Sequence, residues 1–436
     1  MQASYRIGRS ATPREVAAKL SEVGKVVCDR AMNVTEKYYD TFDWRLFALN
    51  QSLTAERTPE GTWNRWFDHG SGEEIGQIGG DLFSGDIADL SPCRLRERLK
   101  EIIGVRRLLQ KLVLKSKRHS ISIRDKEEKT VMRLQLEHFM AQNSKGLKSV
   151  SLGTRLTLQP VRGYQKVFRA VQSILENTLE LTTTGSPLYL EGLKALGETP
   201  GDYSSKLRLK LTPQMTAGEA AHTIHLELLN TMELNEDGMC RNVDSEFLHD
   251  FRVAVRRTRS ALSQIDKDIL PAPVIETVKK NFKWLGQITG PLRDLDVYLI
   301  EFPEMQKFLP ESYKSNLRPF HDYLVQRHAR ETRKLAAIIK GKRFKGVKEA
   351  WRSYLTNFKT GPETGKNATK PIKELADGRI WKTYRKLMKE GGAVDENGVL
   401  DTRARGRDER LADATCAGEI RHDEHIDRRG IAVVKC

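Results

Sequence analysis

A helical stretch at residues 246–262 constrains the fold of this chain more than any other segment. Its apolar residues Leu248, Val255 and Leu262 recur every seven positions, which is the period of one helix face. A second face carries a histidine or a cation at each turn, namely His249, Arg252, Arg256 and Arg259. No acidic residue occurs in the 15 positions after Asp250, so this row is not neutralised along the helix. The repulsion costs about a few tenths of a kcal/mol per pair, which a polyanionic ligand would offset.

The total charge and its distribution also indicate an anionic partner. The chain has 436 residues, which exceeds the usual size of a single hydrophobic core, so two or more domains are expected. Its formal net charge is +16, and residues 301–390 alone hold 22 Lys or Arg against 10 Asp or Glu. A concentrated basic surface suits nucleic acid, polyphosphate or an acidic membrane surface. The alternative is a basic protein whose charge serves only solubility.

The cysteines and the hydropathy pattern predict a cytoplasmic protein. The five cysteines are scattered and form no C-x-x-C pair, which favours neither a zinc site nor a disulfide framework. They indicate a reducing compartment instead. No stretch approaches about 18 consecutive apolar residues, and the N-terminus lacks the apolar segment of a secretory signal. We therefore expect no membrane partner.

Residue periodicity divides the chain into a mixed first part and a helical second part. Residues 1–185 combine a helix opening at Thr12-Pro13-Arg14-Glu15, strands at 51–57, 108–123 and 130–139, and a helix at 162–180. In the second part, helices are predicted at 216–233, 244–267, 274–289, 291–302, 311–341, 345–358 and 370–390. The sequence therefore predicts an α+β domain followed by an all-α helical bundle at 216–400. Residues 186–215 are interpreted as a linker, and the polar residues 401–436 as a disordered tail.

One face of the predicted strand 108–123 is basic. Lys111, Lys115 and Lys117 have the same parity, so they point to the same side of the sheet. Such a face either curls around an anion or forms a solvated outer surface, and the sequence leaves both interpretations open.

Arginine is the residue type that best explains an anion site, because its guanidinium stays charged and binds phosphate oxygens in pairs. Cations at helical spacing recur in other predicted helices. The full candidate anion-binding set is His249, Arg252, Arg256, Arg257, Arg259, Lys280, Lys283, Arg293, Arg327, Arg330, Lys334, Lys382, Arg385 and Lys389. Basic rows on three separate regions favour a shared groove over isolated solvated faces.

Some polar residues of this region have other interpretations. His249 either adds a cation when protonated or is a packing histidine. As part of a His-Asp pair it would suit a metal-dependent phosphohydrolase, although the helical region has only one other such pair, at 321–322. Asp294 and Asp296 either bind a metal, cap a helix or pair with arginines of the bundle.

Two blocks of the second part resemble the CHAD family, the conserved-histidine α-helical domain. The first block is Glu246-Phe-Leu-His249-Asp-Phe-Arg252-Val-Ala-Val-Arg256-Arg257-Thr-Arg259-Ser260. The second comprises Lys283-Trp-Leu-Gly286 and Leu292-Arg-Asp-Leu-Asp-Val297. The resemblance covers roughly residues 205–400. It implies two pseudo-symmetric four-helix units around a basic channel, with inorganic polyphosphate held by the histidine and the cations of these helices.

The first part is similar to the CYTH family, whose fold is an antiparallel triphosphate tunnel. The similarity lies in Tyr38-Tyr-Asp-Thr-Phe-Asp-Trp-Arg-Leu46 with Ser52-Leu53, in the segments Lys111–Arg118 and Arg133–Glu137, and in Gly163-Tyr164. It implies an antiparallel tunnel-like sheet with helices over roughly residues 1–185.

Two departures from these families bear on function. CYTH enzymes open with Glu-x-Glu-x-Lys, whereas this chain has no acid before Glu15, and Gln135 stands where a later acid is expected. Because hard divalent cations require several oxygen ligands, the resemblance with these changes implies a non-catalytic tunnel. The second histidine helix of a CHAD domain is due near Leu400, where the sequence turns polar.

Three functions follow as hypotheses. The first is a cytoplasmic, non-catalytic protein that binds inorganic polyphosphate and associates with polyphosphate granules, with no cofactor, metal or catalytic residue. The second is a metal-dependent triphosphatase or another CYTH-type phosphoryl enzyme. The third is a nucleic-acid-binding protein, although the arginine rows carry few of the aromatic residues on which single-stranded bases stack.

Overall fold

A computed structural model of the chain describes residues 3–7, 13–80, 85–178, 181–183, 187–207, 209–264, 268–361 and 364–391. The chain divides into two compact units, Met1–Ser204 and Ser205–Cys436. The first unit contains an antiparallel sheet with helices, and the described part of the second is helical, which confirms the predicted fold class. The predicted helix cap at Thr12 and the predicted polar tail lie outside the described residues.

One antiparallel sheet forms the body of the first unit. Its strands are β1 (Ala3–Ile7), β2 (Lys25–Cys28), β3 (Met32–Asp40), β4 (Gln51–Thr58), β5 (Gly61–Asp68), β6 (Glu73–Ile78), β7 (Leu109–Arg124), β8 (Thr130–Asn143), β9 (Ser149–Pro160) and β10 (Thr182–Thr183). The strand order is β10-β1-β9-β8-β7-β3-β4-β5-β6, and β2 pairs with β7. The strands predicted at 51–57, 108–123 and 130–139 correspond to β4, β7 and β8.

Five short helices cover parts of this sheet. They are α1 (Pro13–Leu20), α2 (Arg45–Ala48), α3 (Arg94–Ile103), α4 (Gln165–Ser173) and α5 (Leu188–Leu196). Helix α5 packs Tyr189, Leu193 and Leu196 against Leu112 and Leu114 of β7. The first unit therefore extends through α5 to Ser204, beyond the predicted boundary at 185.

Two details of the first unit differ from the sequence interpretation. Thr182–Thr183 lies outside the predicted strands but forms β10, because its backbone pairs with Tyr5 and Arg6 of β1. The three lysines of β7 do not line a common anion site: Lys115 and Lys117 are exposed, whereas Lys111 is half-buried with its Nζ 4.0 Å from the ring centre of Trp44. Lys111 therefore has a different environment from Lys115 and Lys117.

The described part of the second unit is built mainly from helices. They are α6 (Ala217–Cys240), α7 (Ser245–Gln264), α8 (Ala272–Lys307), α9 (Glu311–Lys314), α10 (Arg318–Lys340), α11 (Lys342–Thr356) and α12 (Ile372–Gly391). A capping box between Thr216 and Glu219 fixes the start of α6. Buried Phe251 of α7 packs against Phe344 of α11, while Phe282 of α8 packs against Trp351.

Helix α8 corrects the prediction of two helices at 274–289 and 291–302. A single helix continues through Pro291 and Pro303. An internal proline removes one backbone hydrogen bond and costs about 3 kcal/mol. Burial of Leu285, Leu292 and Leu295 on both sides of Pro291 favours the continuous helix. The tertiary packing thus outweighs the local preference.

No helix among the described residues is both long and apolar enough to cross a bilayer.

Candidate functional site

The basic row of α7 lines a cavity of about 490 Å³ between α7 and α8. Its charged and titratable lining residues are His249, Arg252, Arg256, Arg259, Lys283 and Arg293. The remaining lining residues are Val253, Val255, Gly286 and Gln287. Among the described residues that line the cavity, none is acidic. The cavity therefore concentrates positive charge from two helices on one volume.

Arg252 is held against α8 by two hydrogen bonds. Its Nη1 atom donates to the carbonyl oxygen of Gly286 at 3.0 Å and to Oγ1 of Thr289 at 2.8 Å. The Thr289 hydroxyl in turn donates to the carbonyl oxygen of Leu285 at 2.7 Å. Thr289 is fully buried, so this arrangement fixes the position of a half-buried guanidinium group.

Two glycines of α8 leave room for the arginines of α7. A Cβ atom at Gly286 would lie 3.6 Å from Nη1 of Arg259, and one at Gly290 would lie 3.8 Å from Nη1 of Arg252. Both distances are ordinary contacts, so larger side chains at these positions would fill the space beside the guanidinium groups. An alanine would therefore fit at either position, and only a larger side chain would compete with the guanidinium groups for space.

Burial and neighbouring cations disfavour extra positive charge in the cavity. Burial lowers the pKa of His249 below its ordinary value, and Arg293 and Arg256 lower it further, although Glu246 acts in the opposite direction. Burial also lowers the pKa of Arg252, which nevertheless stays charged. Nη1 of Arg293 is buried and has no hydrogen-bond partner among the described residues. An anion in the cavity would relieve these costs.

The other candidate residues lie elsewhere. Arg257 points away from the cavity, and its Nη1 atom donates to the carbonyl oxygen of Ser205 at 2.7 Å. Seven further candidates do not line the cavity: Lys280, Arg327, Arg330, Lys334, Lys382, Arg385 and Lys389. Of these, Arg327 donates to the hydroxyl of Tyr323, and Arg385 lies over the ring of Trp381. Anion binding by these residues stays a prediction.

Sequence reasoning missed the uncharged residues that shape the site. Thr289 was not a candidate, although it follows Lys283 and Gly286 on the cavity-facing side of α8. Helical spacing from Lys283 to Arg293 was the available signal. A buried threonine by itself does not indicate a binding site, because most buried threonines serve packing.

Asp296 pairs with a histidine rather than with an arginine of the bundle. Nε2 of His328 on α10 lies 2.8 Å from Oδ1 of Asp296 on α8, and both side chains are largely buried. Asp294 is exposed and acts electrostatically on Arg252. Among the described residues, no group of three or more His, Cys, Asp and Glu is arranged to hold a metal ion.

A second charged cluster lies on the inner face of the first unit. Arg118 of β7 contacts Glu137 at 2.7 Å, Glu56 at 2.8 Å and Glu36 at 3.7 Å, so carboxylates from three strands surround one guanidinium group. Arg65 adds a second ion pair to Glu56 at 3.1 Å.

This cluster does not fit the divalent cation that the CYTH resemblance implies. Oε1 of Glu137 already accepts hydrogen bonds from Ser116 and Arg118, and arginines also contact Glu56 and Glu36. Strand β1, where CYTH enzymes carry their acidic motif, instead directs Arg6 to Glu191 at 2.6 Å. The donor set is therefore occupied by internal cations.

The helical unit matches a known family. The family model of the CHAD domain matches residues 223–423, which include the residues that line the cavity. The chain contains a CHAD domain. No curated protein matches the chain.

Solved structures give distant likenesses to each part of the chain. The CHAD domain from the plant Ricinus communis is 19% identical, with 49% of this chain and 68% of that chain covered and a TM-score of 0.38. A candidate adenylate cyclase from Bacillus halodurans is 14% identical, with 44% and 94% covered and a TM-score of 0.31. A candidate adenylyl cyclase from Hippeastrum with a dominant triphosphatase activity is 14% identical, with 47% and 99% covered and a TM-score of 0.29.

Proposed function

We propose that the CHAD domain binds inorganic polyphosphate in the cavity between α7 and α8, without catalysis. The observation that carries the proposal is the convergence of His249 and five arginines or lysines of the signature blocks on one cavity without an acidic lining residue among those described. Guanidinium groups bind phosphate oxygens in pairs, which suits a polymer that presents such oxygens at regular intervals.

The arrangement of the cations supports an extended ligand rather than a single phosphate. Arg252 is half-buried and fixed by Thr289, whereas Arg256, Arg259 and Lys283 are exposed at the cavity edge. A chain could contact the fixed arginine within the cavity and the exposed cations as it leaves. The buried Nη1 of Arg293, which lacks a hydrogen-bond partner in the described part of the chain, supplies a further donor.

Titration with long-chain polyphosphate tests the proposal. We expect the double variant Arg252→Ala/Arg256→Ala to bind at least about tenfold more weakly, because each lost charge-assisted hydrogen bond contributes about 1.5–3 kcal/mol. The charge-matched control is Lys307→Ala/Lys366→Ala, which removes two exposed lysines outside the cavity. Equal affinity of the cavity variant and the control would contradict the proposal.

Nucleic acid is the second candidate, favoured by the overall basic charge. Competition separates the two ligands. If polyphosphate is the ligand, a low concentration of its phosphate groups should displace DNA. DNA should then displace polyphosphate only at a much higher concentration of phosphate groups. The reverse order would favour nucleic acid.

Catalysis by the first unit is less favoured, because Arg118 engages the carboxylates that a metal would need. We expect no phosphate release from triphosphate with Mg²⁺ or Mn²⁺. Release that Glu137→Gln abolishes would instead support a triphosphatase.

A further inference from the structure

The cavity between α7 and α8 has two different ends. The two helices run in opposite directions, because Nη1 of Arg252 lies beside Gly290 and Nη1 of Arg259 lies beside Gly286. Residues late in α7 are therefore next to residues early in α8. The inner end of the cavity carries His249, Arg252 and Arg293, and the outer end carries Arg256, Arg259 and Lys283.

The inner end is the more buried of the two. All three of its residues are partly buried, whereas Arg259 and Lys283 are exposed in the part of the chain that the structure describes. Arg252 is held in place by its two hydrogen bonds to α8. The charge of Arg293 acts on both His249 and Arg252, which places the three groups around one part of the cavity.

Carboxylates lie next to the inner end. Glu246 acts electrostatically on His249, and Asp294 acts on Arg252. By contrast, no acidic residue occurs in α7 after Asp250, or in the 17 positions of α8 before Asp294. A polyanion that continued past the inner end would meet these carboxylates, so repulsion favours a chain that stops there.

We infer that the inner end binds the terminal phosphate of a linear polyphosphate chain, an inference that rests on the proposed function. A terminal phosphate presents three oxygen atoms to hydrogen-bond donors and carries about −1.5 to −2 charges at pH 7. An interior phosphate has two such oxygens and a single charge. The three side chains of the inner end suit the more highly charged terminal group, and the cations of the outer end contact the interior phosphates that follow it.

A terminal phosphate also occurs at the end of a nucleic-acid strand. Among the described residues that line the cavity, none is Phe, Tyr or Trp, so the lining offers no ring on which a base could stack. Polyphosphate consists of phosphate groups alone and needs no such ring. The lining therefore favours the end of a polyphosphate chain.

Titration of the full chain with linear and cyclic polyphosphates tests the inference, because a ring has no terminal phosphate. The probes are a linear chain and a ring with the same number of phosphates. We expect the linear chain to bind at least about tenfold more tightly, a ratio that one charge-assisted hydrogen bond can supply. Analytical ultracentrifugation should find one protein per chain end on both a longer and a shorter linear polymer.

Two variants assign the preference to one end of the cavity. Arg293→Gln should reduce the preference for the linear chain to within about twofold, because the inner end loses a cation. Arg259→Gln is the matched control, since it removes a cation of the outer end and should weaken binding of chain and ring by the same factor. Thermal unfolding checks that both variants fold, and the comparison of the two ligands on the wild type needs neither.

The outcomes separate this inference from the proposed function. Equal affinity for chain and ring, or a number of bound proteins that rises in proportion to chain length, would overturn the inference and leave polyphosphate binding in place. Absence of binding to either polymer would overturn both. An oligonucleotide with a terminal phosphate that competes as well as linear polyphosphate, and better than the same strand without that phosphate, would assign the inner end to nucleic acid.

Discussion

At the scale of single residues, the environment of Arg252 distinguishes it from the other cations of α7. Arg252 has a fixed position because Thr289 and the Gly286 carbonyl accept from its Nη1 atom, whereas Arg259 is exposed. A fixed cation loses less conformational entropy on binding than a mobile one. The contribution of Arg252 to binding therefore depends on an uncharged neighbour.

Thr289→Val should weaken polyphosphate binding by about threefold to tenfold, because Arg252 loses one acceptor that positions it. The unfolding temperature should change little, since valine has nearly the same shape. Binding titration and thermal unfolding measure the two effects. Thr258→Val is the control, because buried Thr258 makes the same type of hydrogen bond to Ala254 on α7 and accepts none from an arginine of the described residues. Equal affinities for the two variants would assign Thr289 a packing role only.

His249 should make polyphosphate binding stronger at low pH. Burial lowers its pKa in the free protein, so the ring is mainly neutral at neutral pH. A bound polyanion favours the charged ring and raises that pKa, so binding takes up a proton. Affinity should therefore rise as the pH falls through the pKa of the bound state and level off below the pKa of the free state. Titrations between about pH 5 and pH 8 measure this window.

The controls for this pH dependence are two histidine variants. His249→Gln should flatten the profile, whereas His222→Gln should retain it, because His222 stacks on Phe358 outside the cavity. If the His249→Gln profile kept its slope, the proton would be taken up elsewhere.

At the scale of elements, the close packing of α6 on α7 depends on a glycine. A Cβ atom at Gly238 would lie 2.2 Å from the Phe247 ring, which is too close for any real contact. We expect Gly238→Ala to lower the free energy of unfolding by about 1–3 kcal/mol, because α6 and α7 must move apart. Gly346→Ala in α11 meets no atom within 4 Å and should raise it by up to about 1 kcal/mol. Chemical denaturation of both variants measures the difference, and similar effects would exclude the steric explanation.

The strands of the first unit bring together carboxylates that oppose each other. Burial, together with Glu137 and Glu56, raises the pKa of Glu36 to about 7. The folded chain therefore holds this proton to higher pH than the unfolded chain, whose glutamates titrate near about 4.3. Stability from this group is lost as the pH rises between those two values.

Glu36→Gln should remove this loss. We expect its unfolding temperature to exceed that of the wild type by about a few degrees near pH 8 and to equal it near pH 4. Calorimetry at the two pH values measures the effect, with exposed Glu60→Gln as the control that changes neither. A lower unfolding temperature for Glu36→Gln near pH 8 would mean that its contact with Arg118 outweighs the repulsion.

At the scale of the whole molecule, the net charge of +16 should make polyphosphate binding depend strongly on salt. Affinity should fall steeply with ionic strength, because mobile ions replace the polymer at exposed cations such as Arg256 and Arg259. Arg256→Ala/Arg259→Ala should show a shallower dependence than the wild type, since fewer counterions are exchanged. If affinity depended on salt concentration with the same slope in this variant and the wild type, the main electrostatic contact would lie away from the cavity. Titrations at several salt concentrations provide the measurement.

Local patterns made much of this protein predictable. The seven-residue period of Leu248, Val255 and Leu262 determined that α7 buries one face, because helical spacing depends only on the chain itself. The same spacing determined that His249 and Arg252 share another face. Strands β4, β7 and β8 followed from their composition.

Tertiary structure alone decided which charges meet. Arg257 binds a backbone carbonyl instead of facing the cavity, and α8 continues through Pro291, because packing against distant segments overrides local preference. Glu56 and Glu137 are 81 positions apart, yet both contact Arg118 because sheet order brings β4 and β8 to either side of β7 and β3. Helix periodicity is local and readable from sequence, whereas the meeting of distant strands depends on how the whole sheet is ordered.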